Sequence, residues 1–223
     1  MDWSPLLISL QTAVVTMGLV LLLGLATAYF VWRQPYAWLR LGADSVLTLP
    51  LVLPPTVAGF FLLWLFGRQG LFGRPLEAMG LSFAFTWLGT VLAATVIAFP
   101  LMYRAARGAF EQVNKELLQA GRTLGLSEGR IFWQVLLPNA LPGLITGSIL
   151  AFARALGEFG ATIMLAGNIA GETRTLPLAV YSAVMNGSME EAGAYVILIV
   201  ALCMVMVAGL NYYQYRRSHD FTG

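Results

Sequence analysis

Long apolar segments alternate with shorter polar ones along this chain, and five of the apolar segments are long enough to cross a membrane. The hydrocarbon core of a bilayer is roughly 30 Å thick and needs about 20 residues of helix. The segments that meet this length lie approximately at residues 5–32, 45–66, 82–103, 140–165 and 194–213. The pattern predicts one all-α, polytopic membrane domain over residues 1–223, with a long polar loop at residues 108–139.

The composition agrees with this prediction and excludes an ordinary soluble domain. Of the 223 residues, 58% are hydrophobic and 11% are charged, and the mean hydropathy is +0.75. Soluble domains average about 25% charged residues. Cys203 is the single cysteine and lies in an apolar run, so the chain cannot form an internal disulfide framework.

The basic residues predict how the spans are oriented. One set of loops contains nine of them, namely Arg33, Arg40, Arg104, Arg107, Lys115, Arg122, Arg130, Arg216 and Arg217. The opposite loops contain three, namely Arg68, Arg74 and Arg174. Loops rich in Lys and Arg face the cytoplasm, so we expect the N-terminus outside and the C-terminus inside. An odd number of spans leaves no room for two equal inverted halves, which favours a pathway between two copies of the chain.

The loop at residues 108–139 has the pattern of two helices joined by a glycine turn. Apolar positions recur at helical spacing in its first half, at Val113, Leu117, Ala120 or Gly121, and Leu124. Gly125 suits the position that ends a helix, because glycine adopts the left-handed conformation cheaply. Ser127 can cap a second short helix with Glu128 near its positive end. Pro138 is expected to end that helix. An interfacial loop helix without a partner is the alternative interpretation.

The same loop resembles the cytoplasmic loop of ABC-importer permeases, whose pattern runs E-A-A, three residues, Gly, nine residues, Ile, one residue, Leu-Pro. Here Gln119-Ala120-Gly121 takes the first place, Gly125 the second, Val135 the third, and Leu137-Pro138 the last. In that family the loop forms a coupling helix that docks into a groove on a separate ATPase subunit. The resemblance implies these docking residues: Gln119, Ala120, Gly121, Leu124, Gly125, Leu126, Ser127, Glu128, Gly129, Arg130, Val135, Leu137 and Pro138.

An absent motif points the same way. The sequence contains no G-x-x-x-x-G-K-[ST] phosphate loop, so residues 1–223 cannot bind ATP by that route. The chain therefore either takes energy from another subunit or needs none.

The second apolar segment contains Pro50, Pro54 and Pro55. Each proline removes a helix hydrogen bond and frees a carbonyl group, which is tolerated in the membrane only against protein or a water-filled cavity. Two interpretations stay open: a kinked packing helix, or a helix that lines the pathway and bends with a gate. In the second, Thr48 and Thr56 would line the pathway beside Pro54 and Pro55. The run also looks like the second span of molybdate-type permeases.

The fourth apolar segment contains Arg154 and Glu158, one helical turn apart. Either charge would cost several kcal/mol if it were unpaired in lipid, so we expect an ion pair or an orientation toward a cavity. A structural pair and a role in the pathway, together with Thr162, both stay open. Residues 156–162 resemble the oxyanion branch of ABC permeases, which covers molybdate, tungstate and sulfate.

The polar loop at residues 167–191 looks specifically like that of the molybdate members, through the run at 171–177 and the following Tyr181. Pro177 suits the start of a short helix at 178–185 that Asn186-Gly187 would end. The resemblance implies that Glu172, Arg174 and Tyr181 face a periplasmic binding protein. The alternative is an interfacial helix without a partner.

Taken as a member of this family, the chain is expected to have the type I ABC importer permease fold and to lie in a bacterial inner membrane. The implied partners are a second copy of itself, two ABC ATPase subunits and a periplasmic molybdate-binding protein, with molybdate and tungstate as substrates. No catalytic residue, cofactor, metal or nucleic acid is expected. The alternatives are a sulfate or thiosulfate permease and an ATP-independent channel or secondary transporter. An intramembrane hydrolase is disfavoured because His219, the only histidine, lies in the predicted cytoplasmic tail.

Overall fold

The structure is a computed structural model that describes residues 2–220, apart from the side chains at positions 214 and 216–220. Predictions that rest on the side chains of Arg216, Arg217 and His219 therefore lie outside the described residues. The described part is all-helical, as predicted, with α1 (Ser4–Trp32), α2 (Ala37–Val52), α3 (Pro55–Phe66), α4 (Gly73–Ala78), α5 (Trp87–Glu111), α6 (Lys115–Thr123), α7 (Glu128–Ile131), α8 (Leu137–Leu156), α9 (Gly160–Leu165), α10 (Leu176–Met185) and α11 (Met189–Asp220). A π-helical turn, Phe132–Leu136, joins α7 to α8.

Four helical segments within residues 2–220 are long and apolar enough to cross a membrane. They are α1, α5, the continuous segment Glu128–Leu156 and Met189–Tyr213 of α11. The pair α2 and α3 adds a fifth if it is counted as one span, although the two helices meet at a bend of 109°. The chain thus has up to five spans, one of them sharply broken.

The second predicted segment differs from a single kinked helix. Helix α2 begins at Ala37, before the predicted start, and continues through Pro50. The backbone is extended at Leu53 and Pro54, and α3 begins at Pro55. Two consecutive prolines explain the break, because neither donates a helix hydrogen bond and each disfavours helix in the residue before it.

The fourth predicted segment, residues 140–165, is also broken. Helix α8 ends at Leu156, and α9 begins at Gly160. Glu158 therefore lies in the connection between α8 and α9. The sequence had predicted that it would lie on the same helix as Arg154. No proline lies at this break, so its cause must be sought in the side chains around it.

The centre of the molecule is formed by α1, α5 and α8, which share one apolar cluster. Helices α5 and α8 approach closely because glycine faces alanine at two levels. A Cβ atom added to Gly147 would lie 2.2 Å from the Cβ of Ala105, and one added to Gly143 would lie 2.8 Å from the Cβ of Ala109. The small residues thus create a tight helix contact within one chain.

Helix α1 carries a buried polar stripe that faces α5 and α10. The Thr12 hydroxyl lies 3.2 Å from the Thr90 hydroxyl, and the Thr16 hydroxyl donates to the Val91 carbonyl at 3.4 Å. Nearer the N-terminus, the Ser9 hydroxyl accepts a hydrogen bond of 2.7 Å from the backbone N–H of Leu176, the first residue of α10. Lipid cannot satisfy such groups, so these bonds fix α1 against its neighbours.

Helices α3 and α9 pack against each other as one unit beside the first half of α5. A Cβ atom on Gly59 would lie 2.7 Å from the Cα of Ala161, and one on Gly160 would lie 2.9 Å from the Cβ of Pro55. The start of α3 and the start of α9 therefore touch. Both breaks in the spans therefore lie close together, at the N-terminal ends of one closely packed helix pair.

Two helices leave large apolar surfaces open. Helix α2 contains no buried residue, and only 6% of the most apolar stretch of α11 is buried. Such an apolar surface is unfavourable in water, but it is stable in contact with lipid or with another membrane chain.

Candidate functional site

The first helix of the polar loop, α6, begins where Asn114 accepts a hydrogen bond of 2.9 Å from the backbone N–H of Glu116. Its buried residues are Leu118 and Gly121. Of the predicted apolar positions, Val113 and Gly121 are buried, whereas Leu117 and Leu124 are 47% and 81% exposed. The helix therefore packs on the protein through Leu118 and Gly121 and leaves Leu117 and Leu124 on its outer surface.

The turn after α6 is the glycine turn that the sequence predicted. Gly125 has φ of +75°, a conformation that strains other residues. Its N–H donates to the Arg122 carbonyl at 3.0 Å, and the N–H of Leu126 donates to the Gly121 carbonyl at 3.1 Å. This pair of bonds is the Schellman arrangement that closes a helix end.

A salt bridge holds the two sides of the turn together. Arg122 donates to both carboxylate oxygens of Glu128, from Nε at 2.8 Å and from Nη2 at 3.3 Å. Arg33 of α1 adds a weaker contact, with 3.7 Å between its Nη2 and Oε2 of Glu128. The hydrogen bond from Arg122 keeps the pKa of the Glu128 carboxyl below its ordinary value of 4.5. Ser127 caps α7 as predicted, accepting from the N–H of Arg130 at 3.4 Å.

The prediction that Pro138 ends the second helix is wrong. The chain remains helical from Glu128 to Leu156 because the π-helical turn lies just before the proline. In this wider turn the N–H of Leu137 donates to the Phe132 carbonyl. The Val135 carbonyl receives a hydrogen bond of 2.7 Å from the side chain of Asn139. The wider turn and this side-chain bond let a residue without an N–H continue the helix.

The predicted docking residues are mostly accessible. Those that are exposed are Gln119, Ala120, Leu124, Gly125, Ser127, Gly129, Arg130 and Pro138. Those that are half-buried are Leu126, Glu128, Val135 and Leu137, and Gly121 is buried under Ile131. The loop therefore combines a fixed backbone with an outer surface on which Leu124 is the most exposed apolar side chain.

Arg154 and Glu158 form an ion pair, with 2.7 Å between Nη1 and Oε2. The other carboxylate oxygen of Glu158 accepts a hydrogen bond of 2.7 Å from the N–H of Ala161, in the first turn of α9. Both oxygens are thus engaged, and the Glu158 side chain is 2% exposed. The geometry favours the structural interpretation of this pair, because the carboxylate joins the end of α8 to the start of α9.

The other pathway candidates lie at two places, on α2 and around the contact between α3 and α9. Thr48 is half-buried on α2, where its hydroxyl donates to the Asp44 carbonyl at 2.6 Å. Pro54 and Thr56 are exposed at the break before α3, and Pro55 packs against Gly160. Thr162 is buried. A single chain therefore does not gather these candidates around one cavity.

In the loop before α10, several backbone N–H groups donate to the same carbonyl group. The Ile169 carbonyl accepts from the N–H groups of Thr173 and Arg174, both at 3.0 Å. The N–H of Ile169 donates in turn to the buried Thr173 hydroxyl at 2.9 Å. Gly171 supplies the positive φ, +79°, that the turn requires. These bonds close a compact turn over residues 169–174, which contains the first half of the run at 171–177.

The predicted binding-protein contacts differ in accessibility. Arg174 is half-buried, and its Nε donates to the side-chain oxygen of Asn168 at 2.9 Å. Tyr181 is 41% exposed, and its ring lies 5.5 Å from that of Phe159. Glu172 is exposed. Glu172 and Tyr181 are therefore available to a partner, whereas Arg174 helps to fold the loop.

Sequence reasoning missed an ionic network between α2 and α5. Asp44 contacts the Tyr103 hydroxyl and the Arg107 guanidinium. Glu111 contacts Arg107 Nε at 3.2 Å and Arg40 Nη2 at 3.3 Å. These are the main polar contacts of a helix that buries no residue. In the sequence, the one signal for this network is Asp44, an acidic residue directly before an apolar segment.

Comparison with known proteins tests the resemblance that the sequence motifs predicted. Residues 20–219 match the family described as binding-protein-dependent transport system inner membrane component. The molybdenum transport system permease protein ModB of Escherichia coli strain K12 is 45% identical over 208 residues, which is 93% of this chain and 90% of that protein. ModB of Haemophilus influenzae is 42% identical over 224 residues, covering 100% and 97%. The resemblance to molybdate-type permeases that the sequence motifs predicted is thereby confirmed.

The fold itself is similar to that of solved ABC transporters. An inward-facing structure of the MetNI methionine ABC transporter superposes with a TM-score of 0.74 over 96% of this chain and 95% of the other, at 19% identity. An identity this low supports the fold alone. The superposition and the match over residues 20–219 together confirm the predicted permease fold. The chain belongs to the family of inner-membrane components of binding-protein-dependent transport systems.

Proposed function

We propose that this chain is the membrane-spanning permease subunit of an ATP-driven importer that carries molybdate, and also tungstate, into the cytoplasm. The substrate follows from relatives named as molybdenum transport permeases, which are 42–45% identical over nearly the whole chain. The observation that carries the coupling role is the exposed loop tip around Leu124, held rigid by the turn at Gly125 and by the Arg122–Glu128 salt bridge.

The permease provides no catalytic group of its own in this proposal. Two copies of the chain pair, and each presents its α6–α7 loop to one ATPase subunit in the cytoplasm. The basic residues of the loops support this orientation, with the N-terminus outside and the C-terminus inside. The open apolar surfaces of α2 and α11 are suited to lipid and to the second copy.

The continuous segment Glu128–Leu156 would transmit the movement of the ATPases. It contains 29 residues and is therefore about 43 Å long at 1.5 Å per residue. One end lies at the docking tip, and the other end reaches the break beside Glu158. A displacement of the tip would thus pass along α8 and through Glu158 to the joined pair α9 and α3, which would move relative to α1 and α5.

On the outer side, Glu172 and Tyr181 would contact the binding protein that delivers the oxyanion. The compact turn at residues 169–174 and the packing of Tyr181 on Phe159 support this proposal, since both lie next to α9. The binding protein on the outer side and the ATPase on the cytoplasmic side would then both act on the pair α3 and α9. This arrangement suits alternating access between inward-facing and outward-facing states.

The test is ATP hydrolysis and uptake by the permease reconstituted in liposomes with its ATPase and binding protein. We expect molybdate and tungstate to stimulate both activities, and sulfate to have little effect. Stimulation by sulfate alone would replace the substrate and keep the architecture. Uptake at full rate without the ATPase, driven by an ion gradient, would overturn the proposal in favour of a channel or secondary transporter.

A further inference from the structure

A cavity of about 670 Å³ lies between the cytoplasmic ends of the spans and α6. Its walls come from the end of α1, the start of α2, the end of α5 and one face of α6. Four cationic side chains, Arg33, Arg40, Lys115 and Arg122, line it together with a single carboxylate, that of Glu111. Such an excess of positive charge around one cavity favours an anionic ligand.

The ion pairs around the cavity do not cancel this charge. Arg33 and Arg122 share Glu128, and Arg40 contacts Glu111. Lys115 forms no ion pair among the described residues. Two carboxylates therefore face four cations, so the cavity retains net positive charge at neutral pH.

The surroundings of the cavity indicate where the ligand comes from. Trp32, the last residue of α1, forms part of the wall. On α2, Trp38 and Leu41 flank Arg40 and are 70% and 67% exposed. Tryptophan beside arginine at the end of a span is typical of the headgroup level of a bilayer, and apolar side chains beside it suit acyl chains.

We propose that this cavity binds the phosphate headgroup of an anionic phospholipid from the inner leaflet, with the acyl chains lying along α2. Basic pockets between span ends on the cytoplasmic side bind such headgroups in other membrane proteins. Lys115 and Arg122 belong to the coupling helix, whereas Arg33 and Arg40 belong to the span ends. The lipid would therefore connect α6 to the membrane-embedded part of the protein. It would also fix the distance between the docking tip and the membrane surface.

The test is retention of phosphatidylglycerol by the detergent-purified permease, measured by native mass spectrometry against phosphatidylcholine as competitor. We expect phosphatidylglycerol to be retained selectively, and Lys115→Gln and Arg40→Gln each to weaken retention roughly fivefold. Lys115→Arg, which keeps the charge, should retain the lipid. The matched control is Arg104→Gln, which removes a cation from the same side of the membrane but outside this cavity. Equal retention by all variants, or equal retention of both lipids, would overturn the proposal.

Two further measurements distinguish the lipid from two other occupants of the cavity, a free anion and the ATPase subunit. Displacement of phosphatidylglycerol by inorganic phosphate would assign the cavity to a free anion and overturn the lipid assignment. Release of the lipid when the ATPase subunit binds would assign the cavity to that interface. Retention in both measurements supports the proposal. The readout does not depend on transport, so it remains valid even if molybdate uptake is not observed.

Discussion

Arg154 and Glu158 are joined by an ion pair across the point where α8 ends, with 2.7 Å between Nη1 and Oε2. The two partners differ sharply in their surroundings, since the arginine side chain is 31% exposed and the glutamate side chain 2%. Glu158 also holds the N–H of Ala161, so the same carboxylate fixes the start of α9. This asymmetry gives the first prediction.

We expect Arg154→Gln to destabilise the protein more than Glu158→Gln. Removing the arginine leaves a buried carboxylate without its counter-charge, which costs about 3 kcal/mol. Removing the carboxylate also leaves an unpaired charge, but the longer arginine side chain can turn toward a polar surface, and the glutamine oxygen can still accept from the N–H of Ala161. Thermal unfolding of the purified variants measures the difference. The double variant should be more stable than Arg154→Gln alone, and equal losses in both single variants would contradict the assigned geometry.

The second prediction concerns the turn at Gly125. Gly125→Ala places a Cβ in the left-handed conformation and should cost about 1 kcal/mol locally. Because this turn holds the proposed docking tip, we expect weaker ATPase binding by the permease, measured as the dissociation constant of the complex. The matched control is Gly108→Ala in α5, where no heavy atom lies within 4 Å of the new Cβ. If both variants bind the ATPase as tightly as the parent chain, the turn has no role in docking.

The third prediction separates docking from folding at the tip. Leu124 is 81% exposed, so Leu124→Ser should leave the melting temperature nearly unchanged. If Leu124 fills a pocket on the ATPase, its loss should weaken the complex roughly tenfold or more. Leu117→Ser on the same helix is the control, because Leu117 is 47% exposed and lies outside the tip. Similar affinities for both variants would place the docking surface elsewhere.

The fourth prediction concerns the dependence of the tip on pH. The pKa of Glu128 is lower in the folded chain than its ordinary value of 4.5, because of the hydrogen bond from Arg122. The stabilisation is therefore fully present above 4.5 and is lost as the pH falls through the lower folded pKa. The salt bridge is largely exposed, so we expect only about 0.5 kcal/mol.

Hydrogen exchange of the α6 and α7 amides, corrected for intrinsic rates, can measure this effect in the parent chain and in Glu128→Gln. The difference in protection should be constant near neutral pH and should disappear in acid. Glu116→Gln, on the same loop but outside the Arg122–Glu128 salt bridge, is the control for the removal of a carboxylate. A difference that persists unchanged in acid would mean that the charge of Glu128 does not stabilise the tip.

The fifth prediction concerns the contact between α5 and α8. Gly147→Ala brings two Cβ atoms to 2.2 Å unless the helices separate, and we expect a loss of about 1–3 kcal/mol. Gly18→Ala in α1 meets no heavy atom within 4 Å and should be neutral or slightly stabilising. Melting temperatures of the two variants provide the measurement, and equal values would mean that α5 and α8 are not this close.

Features set by one residue and its immediate neighbours could be predicted from the sequence. The left-handed turn at Gly125, the cap at Ser127 and the end of α10 before Gly187 each depend on the conformational preference of a single residue. The family motifs predicted the permease fold for a related reason, since their spacing preserves the same local geometry. The start of α10 near Pro177 was also correct to within two residues.

Features set by distant side chains could not be predicted. The break after Leu156 depends on hydrogen bonds of Glu158, whereas the apolar pattern continues through it without a change. The buried face of α6 depends on packing, since Leu118 belongs to the apolar cluster of α1, α5 and α8. Pro138 is tolerated because a π-helical turn precedes it. The network around Asp44 joins residues that are 59 positions apart in its contact with Tyr103, so no local pattern encodes it.

The hydrogen bond between Ser9 and Leu176 has a consequence for the order of synthesis. Its two residues are 167 positions apart, so the first span leaves the ribosome long before its partner exists. During that interval Ser9 lacks this partner, and the N–H of Leu176 gains its acceptor only when α10 packs against a first span made much earlier. The loop before α10 therefore takes its final shape late in synthesis, when one of the newest parts of the chain meets one of the oldest.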